Sequence, residues 1–291
     1  MTHHIPGVLS VEGLDTQRLP LVLDSPHSGT DYPTDFNHAV DPVGLRHAED
    51  THVHDLWRGA VEAGAVLLHA HFPRSYVDAN RAADDMDPDQ IEGAYPLPLN
   101  PTIKSTLGIG LCWTREPPAG GPLYDRRLTA EEVHARVTRY HQPYQTRLRA
   151  LLDESRGRWG KVWHVNCHSM QEVASAMSTQ ERGTPRPDFV LGDRDGTACA
   201  PCFTAAVADF LRARGHSVAI NDPYKGMELI CANGAPLQGR HSMQIEVNRK
   251  LYMDESTREP NAGYADLKAT FTDLSRHLAR FVEAALEGQM T

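Results

Sequence analysis

The sequence predicts a three-layer α/β fold, with a mainly parallel or mixed central sheet flanked by helices. Short apolar runs end in polar residues, amphipathic helical patterns lie between them, and the runs are continuous rather than alternating, as in strands covered on both faces. The 291 residues are 40% hydrophobic and show no internal repeat or low-complexity linker, so a single domain over 1–291 is expected.

The elements follow in chain order. PLVLDS (20–25) is the first strand candidate, and it runs out into PHSG. DTHVHDLWRGAVEAG (50–64) places Val53, Trp57, Ala60 and Val61 on one helical face and stops at Gly64. AVLLHA (65–70) is the second strand. From 82 to about 128 the chain is rich in Pro, Gly and Asp without a sustained period. Its Tyr95, Leu97, Leu107, Ile109, Trp113 and Tyr124 predict an ordered loop over an active site. Thr129 and Glu132 form a capping box for a helix continuing through Val133, Val137, Tyr140, Tyr144, Leu148 and Leu151. KVWHVNCHS (161–169), HSVAIND (216–222) and SMQIEVNR (242–249) are the remaining strands. Leu267, Phe271, Leu274, Leu278 and Phe281 mark a last amphipathic helix, finishing at Gly288.

Composition narrows the function. With 29 basic against 38 acidic residues, a net charge of -9 and no Lys/Arg cluster, nucleic acid is not an expected partner. No stretch approaches 18 consecutive apolar residues, so a soluble, cytoplasmic protein without a membrane span is expected. Five cysteines with only one close pair, Cys199 and Cys202, argue against a disulfide framework and against a four-cysteine zinc site. That pair reads as small hydrophobes opening a helix rather than as a redox motif, because Cys202, Val207, Phe210 and Leu211 repeat at helical spacing.

Three groups with metal-ligand chemistry stand at or near element ends: His27, Asp50 and His168. Two imidazoles and one carboxylate are a common catalytic zinc set, with the fourth position left for water. Each alone has an ordinary alternative, a hydrogen-bonded structural histidine or, for Asp50, a helix N-cap. Glu49 competes for the acidic position, with Asp50 preferred, and His47, His52 and His54 are further candidate ligands or outer donors. Glu246 stands between Ile245 and Val247, so on a strand it alone faces the opposite side, as a proton acceptor or in a salt bridge to an arginine. FPRSYVDANR (72–81) offers Arg74, Asp78, Asn80 and Arg81. Its guanidinium groups suit a forked grip on a substrate carboxylate, the alternative being surface ion pairs. A serine hydrolase is disfavoured, since no G-x-S-x-G elbow occurs.

Taken together, PHSG, the acidic stretch ending at Asp50, RSYVDANR, GPLY (121–124), NCHS, DFVLGDRDGTAC (188–199), NDPYKGMEL (221–229) and QIEVNRKLYMDE resemble the N-formylglutamate amidohydrolase (N-formylglutamate deformylase) family over roughly residues 20 to 255. That family is related to the zinc carboxypeptidases and aspartoacylases, which implies a phosphorylase/hydrolase-like fold. The resemblance implies His27, Asp50 and His168 as ligands of one Zn2+ ion, Glu246 as the catalytic carboxylate, and Asn80 with Arg81 as the substrate-carboxylate pair. Arg74 is expected to help stabilise the oxyanion. One feature departs from the carboxypeptidases, which place their acidic ligand three residues after the first histidine; position 30 here is Thr. The expected reaction is zinc-dependent hydrolysis of a small N-acyl amino acid, N-formyl-L-glutamate, to formate and L-glutamate, as in histidine degradation. The alternatives are a metallo-amidohydrolase or carboxypeptidase for another N-acyl amino acid or peptide, and a non-catalytic metal- or amino-acid-binding protein.

Overall fold

The protein's computed structural model describes residues 3–116, 120–178 and 180–288. Among these residues eight strands form the central sheet: β1 (His4–Ile5), β2 (Leu9–Glu12), β3 (Leu21–Ser25), β4 (Val66–Ala70), β5 (Val162–Met170), β6 (Phe189–Gly192), β7 (Val218–Ile220) and β8 (Arg240–Asn248). Their spatial order is β1-β2-β4-β3-β5-β8-β6-β7. The central four, β4, β3, β5 and β8, are parallel, whereas β2 runs against β4 and β6 against β8. The sheet is therefore mixed, and the carboxyl ends of the four central strands share one edge, where ligands of such sheets bind.

Side chains alternate between two cores, as the pleat requires. Leu21, Leu23, Leu67, Trp163, Val165 and Ile245 pack with the helices Pro201–Arg212 and Tyr264–Leu286. Val22, Val66 and Leu68 pack on the other face with Val133, Tyr144, Leu148 and Leu151 of the helical segment after Thr129. In β5 and β8, though, one parity is polar. His164, Asn166 and His168 lie beside Ser242, Gln244 and Glu246 in register, while Trp163, Val165 and Cys167 of β5 and Met243, Ile245 and Val247 of β8 face the first core. The second face thus carries a polar ladder that ends at the carboxyl edge.

The capping box at Thr129 is present: Thr129 Oγ1 accepts from Glu132 N at 3.1 Å and Glu132 Oε2 accepts from Thr129 N at 2.8 Å. The helix it opens is Ala130–Arg136, followed by a π-turn at Val137–His141 and a second helix, Gln142–Trp159. Pro143 has no N–H to continue the ladder, and the wider turn precedes it.

Two expectations are corrected in this part of the chain. The single helix expected over 50–64 is two short turns, Val53–Leu56 and Gly59–Glu62. Trp57 stacks on Phe271 with ring centroids 4.2 Å apart, and a Cβ at Gly59 would lie 2.4 Å from Thr272 Oγ1, so close packing on the last helix prevails over helical continuity. Cys202, expected on a buried face, is exposed, whereas Cys199 is buried, and all five cysteines are free thiols. The long segment after residue 82 is ordered around buried Ile91, Ile109, Leu111, Trp113 and Tyr124, with Leu97 and Leu107 exposed; its residues 117–119 lie outside the described ones. No helix among the described residues is long and apolar enough to cross a membrane.

Candidate active site

The turn after β3 positions His27. Gly29 follows it, and a Cβ there would come within 2.3 Å of the His71–Phe72 backbone, so PHSG ends in glycine to let two chain segments touch. His27 O accepts from Asp50 N at 2.9 Å, which fixes the acidic segment beside the imidazole. His168 arrives from β5 in the polar ladder. The structure brings His27, Asp50 and His168 together: one ligand atom from each lies within 4.8 Å of the others, and all three residues are buried.

The far side of each group is tied down. His27 Nε2 is 2.6 Å from Asp78 Oδ1, and Asp78 Oδ2 accepts from Arg74 Nε at 3.2 Å and Nη2 at 2.9 Å. His168 Nε2 is 2.7 Å from Asn166 Oδ1. Asp50 Oδ1 accepts from Ser169 Oγ at 3.1 Å and Arg249 Nη2 at 3.0 Å. His27 Nε2 faces the Asp78 carboxylate, which only accepts, so a ring proton belongs on Nε2 and Nδ1 is turned toward Asp50; His168 Nε2 lies closer to Asn166 Oδ1, at 2.7 Å, than to Asn80 Nδ2, at 3.1 Å, which favours the same arrangement there. Asp50 Oδ2 then faces His27 Nδ1 at 3.4 Å and His168 Nδ1 at 3.0 Å, three electron-rich atoms converging. His27 Nδ1 has no hydrogen-bond partner among the described residues. Buried lone pairs in this arrangement fit a cation, and outer carboxylate and carbonyl partners are what metal-ligating histidines use.

Electrostatics agree. Burial above all pushes His168 down to about 4, so its ring is neutral at pH 7 and able to ligate. Burial raises Asp50, but hydrogen bonds and charge from His168 and His27 outweigh it and hold the carboxyl well below its usual range. Glu246 is pushed up to about 8, first by burial and then by Asp50, against the pull of Arg74, Arg186 and Arg249. Its register partner on β5 is His168, so its carboxyl stands beside the three-residue group, and among the described residues only Gln244 Nε2, at 2.9 Å, donates to it.

A cavity of about 410 Å³ opens onto these groups. Arg74, Asn80, Arg81, His168 and Glu246 line it, with Lys104, Ile109 and Trp113 from the long segment. Arg74 lies over the Trp113 ring at 5.1 Å. Arg81 is buried and held by Ile109 O at 3.3 Å and Asn80 O at 3.1 Å, while its own carbonyl accepts from His141 Nε2, in the π-turn, at 2.8 Å. Asn80 is more committed than its sequence reading implies. Its Oδ1 accepts from Leu229 N at 3.0 Å, and its Nδ2 is 3.1 Å from His168 Nε2 and 3.5 Å from Asn166 Oδ1.

The alternatives raised by the acidic stretch separate cleanly. Glu49 turns away, accepting from Tyr32 at 2.7 Å and Thr51 at 3.0 Å. His47 contacts Arg258, His52 contacts the Arg258 carbonyl, and His54 stacks on His69. Three supporting residues escaped sequence reasoning, Asn166, Gln244 and Arg249. Asn166 and Gln244 share parity with His168 and Glu246, a signal present in the strand pattern, whereas nothing local marks Arg249.

Comparison with known proteins matches this picture. A model of the N-formylglutamate amidohydrolase family matches residues 19–253. The chain is 29% identical over 269 residues to an N-formylglutamate deformylase of Pseudomonas aeruginosa, covering 90% of this chain and 91% of that one. It is 26% identical over 245 residues to an N-formylglutamate deformylase of Pseudomonas putida, covering 82% and 84%. The crystal structure of N-formylglutamate amidohydrolase from Ralstonia eutropha JMP134 superposes with a TM-score of 0.92 at 46% identity, over 96% of this chain and 99% of that one. The chain belongs to the N-formylglutamate amidohydrolase family, a family of amide-hydrolysing enzymes.

Proposed function

We propose that this enzyme hydrolyses N-formyl-L-glutamate to formate and L-glutamate, with one zinc ion held by His27 Nδ1, Asp50 Oδ2 and His168 Nδ1. The observation that carries this reading is the convergence of those three ligand atoms, each residue braced from behind, next to a carboxyl on the neighbouring strand. Relatives named N-formylglutamate deformylase support the choice of substrate. The same reading makes residues 1–291 one catalytic domain, cytoplasmic and acting in histidine catabolism.

A zinc ion held by His27, Asp50 and His168 would supply Lewis acidity for the formyl oxygen and would lower the pKa of water toward about 7. Glu246 accepts the proton that water loses as its oxygen attacks the formyl carbon, and returns it to the amine nitrogen as the C–N bond breaks. Arg74, anchored by Asp78, faces the negative charge that develops on the formyl oxygen. Arg81 and Asn80 hold the α-carboxylate, Asn80 releasing its 3.5 Å contact to Asn166 for the purpose. Trp113 and Ile109 cover the bound molecule and keep bulk water from it.

Formate release, or amine release for the other acyl groups, measured on N-formyl-L-glutamate, N-acetyl-L-aspartate and a dipeptide tests the assignment. The expected kcat/KM is about 100-fold or more higher for the formyl compound, since a site built for one charged ligand rejects mismatched ones strongly. Equal or higher kcat/KM on either of the others refutes it.

A further inference from the structure

Among the described residues, the walls of the cavity carry seven Lys and Arg side chains and, of carboxylates, Glu246 alone. Three of the seven are neutralised in place: Arg74 by Asp78 at 2.9 Å, Arg249 by Asp50 at 3.0 Å and Lys225 by Asp195 at 2.8 Å. Arg194 is exposed and donates to Gly226 O. Arg81 has Asp85 only at 3.9 Å. The last two lack even that. Arg186 spends its nitrogens on neutral oxygens of Gln180, Gln171 and Ser178, each at 3.3 Å, and has no carboxylate partner among the described residues. The Lys104 ammonium makes no hydrogen bond or ion pair among the described residues. Burial, and then the charges of Arg81, Arg74 and Arg186, push Lys104 down to about 8. Like charges gathered in a partly buried wall repel one another, and an anion that enters relieves the repulsion.

One substrate carboxylate is already accounted for at Arg81 and Asn80. We propose that Lys104 and Arg186 form a second anion subsite, which takes a carboxylate on the substrate's side chain and makes the cavity selective for N-formyl amino acids with an acidic side chain. The inference rests on the reading above that the site acts on N-formyl amino acids. It gives the one-turn helix Ile103–Thr106 a function, since this helix delivers Lys104 to the cavity. Thr102 caps the helix, and the Asp85 carboxylate accepts from Thr102 N at 2.9 Å and Thr102 Oγ1 at 3.1 Å, so the lysine stands on a braced turn rather than a loose loop.

The test compares kcat/KM on N-formyl-L-glutamate and on its neutral isostere N-formyl-L-glutamine, for the wild type and for Lys104→Met, Arg186→Met and Lys104→Arg. The wild type is expected to prefer glutamate. Each methionine variant is expected to reduce the glutamate-to-glutamine preference by about 10- to 100-fold, mostly through KM, as loss of one charge-assisted hydrogen bond does. Lys104→Arg is expected to keep most of the preference. A general loss of structure would lower both rates together, so an unchanged ratio overturns the proposal, as does a wild type indifferent to the two compounds. If the wild type cleaves neither compound, the reading of function fails. The subsite is then judged by calorimetric binding of L-glutamate and L-glutamine: tighter binding of glutamate that Lys104→Met weakens about tenfold supports it, and equal affinity overturns it.

Discussion

Glu246→Gln is expected to lower turnover of N-formyl-L-glutamate by about 100-fold or more while zinc content stays unchanged, as loss of a general base does. The substitution keeps shape and leaves the Gln244 contact a partner, so the strand is not disturbed. Its effect has a pH signature. Only the ionised carboxylate accepts a proton, so the wild-type rate falls as pH drops through the Glu246 pKa. Burial and Asp50 raise that pKa from 4.5 to about 8, and a bound cation lowers it again. The acid limb of the rate profile therefore lies below about pH 8 and is absent from Glu246→Gln. Formate release measured across pH for both proteins checks it; an unaltered profile in the variant removes Glu246 from the reaction.

His168→Ala is expected to lose both metal and rate, the second by about 100-fold or more, because two ligands hold a divalent ion far less tightly than three. The deletion also leaves the Asn166 carbonyl without the ring N–H it accepts and Asp50 Oδ2 with one imidazole fewer. Elemental analysis alongside the assay checks it. Full zinc occupancy in the variant would remove His168 from the ligand set; the other histidines of the acidic stretch are engaged elsewhere, His47 with Arg258, His52 with the Arg258 carbonyl and His54 with His69.

Much of this was legible in the sequence because period and position are local properties. Runs at 20–25, 65–70, 161–169 and 242–249 became the four central parallel strands, where side chains of both parities are buried, apolar on both faces in the first two and polar on one face in the last two. Glu246 could be read from its two apolar neighbours alone. Other features depend on distant partners. β1 and β2 are too short to show a pattern, and β6, four residues between charged segments, is defined by its pairing with β8 and β7. The break at Trp57 comes from Phe271, more than two hundred residues away. The brace behind Asp50 comes from Arg249, likewise about two hundred residues distant, which no spacing rule reveals. The choice of Asp50 over Glu49 followed the same logic: adjacent side chains point apart, and only the fold decides which of them meets the histidines.

Central to the account is one cation held by two imidazoles and a carboxylate and required for hydrolysis. Formate release from N-formyl-L-glutamate, followed while chelator-stripped enzyme is titrated with zinc, tests this most directly. The account predicts a stripped enzyme without measurable activity and a rate that climbs to a plateau at one equivalent of zinc per chain. A stripped enzyme that releases formate as fast as the loaded one would contradict it.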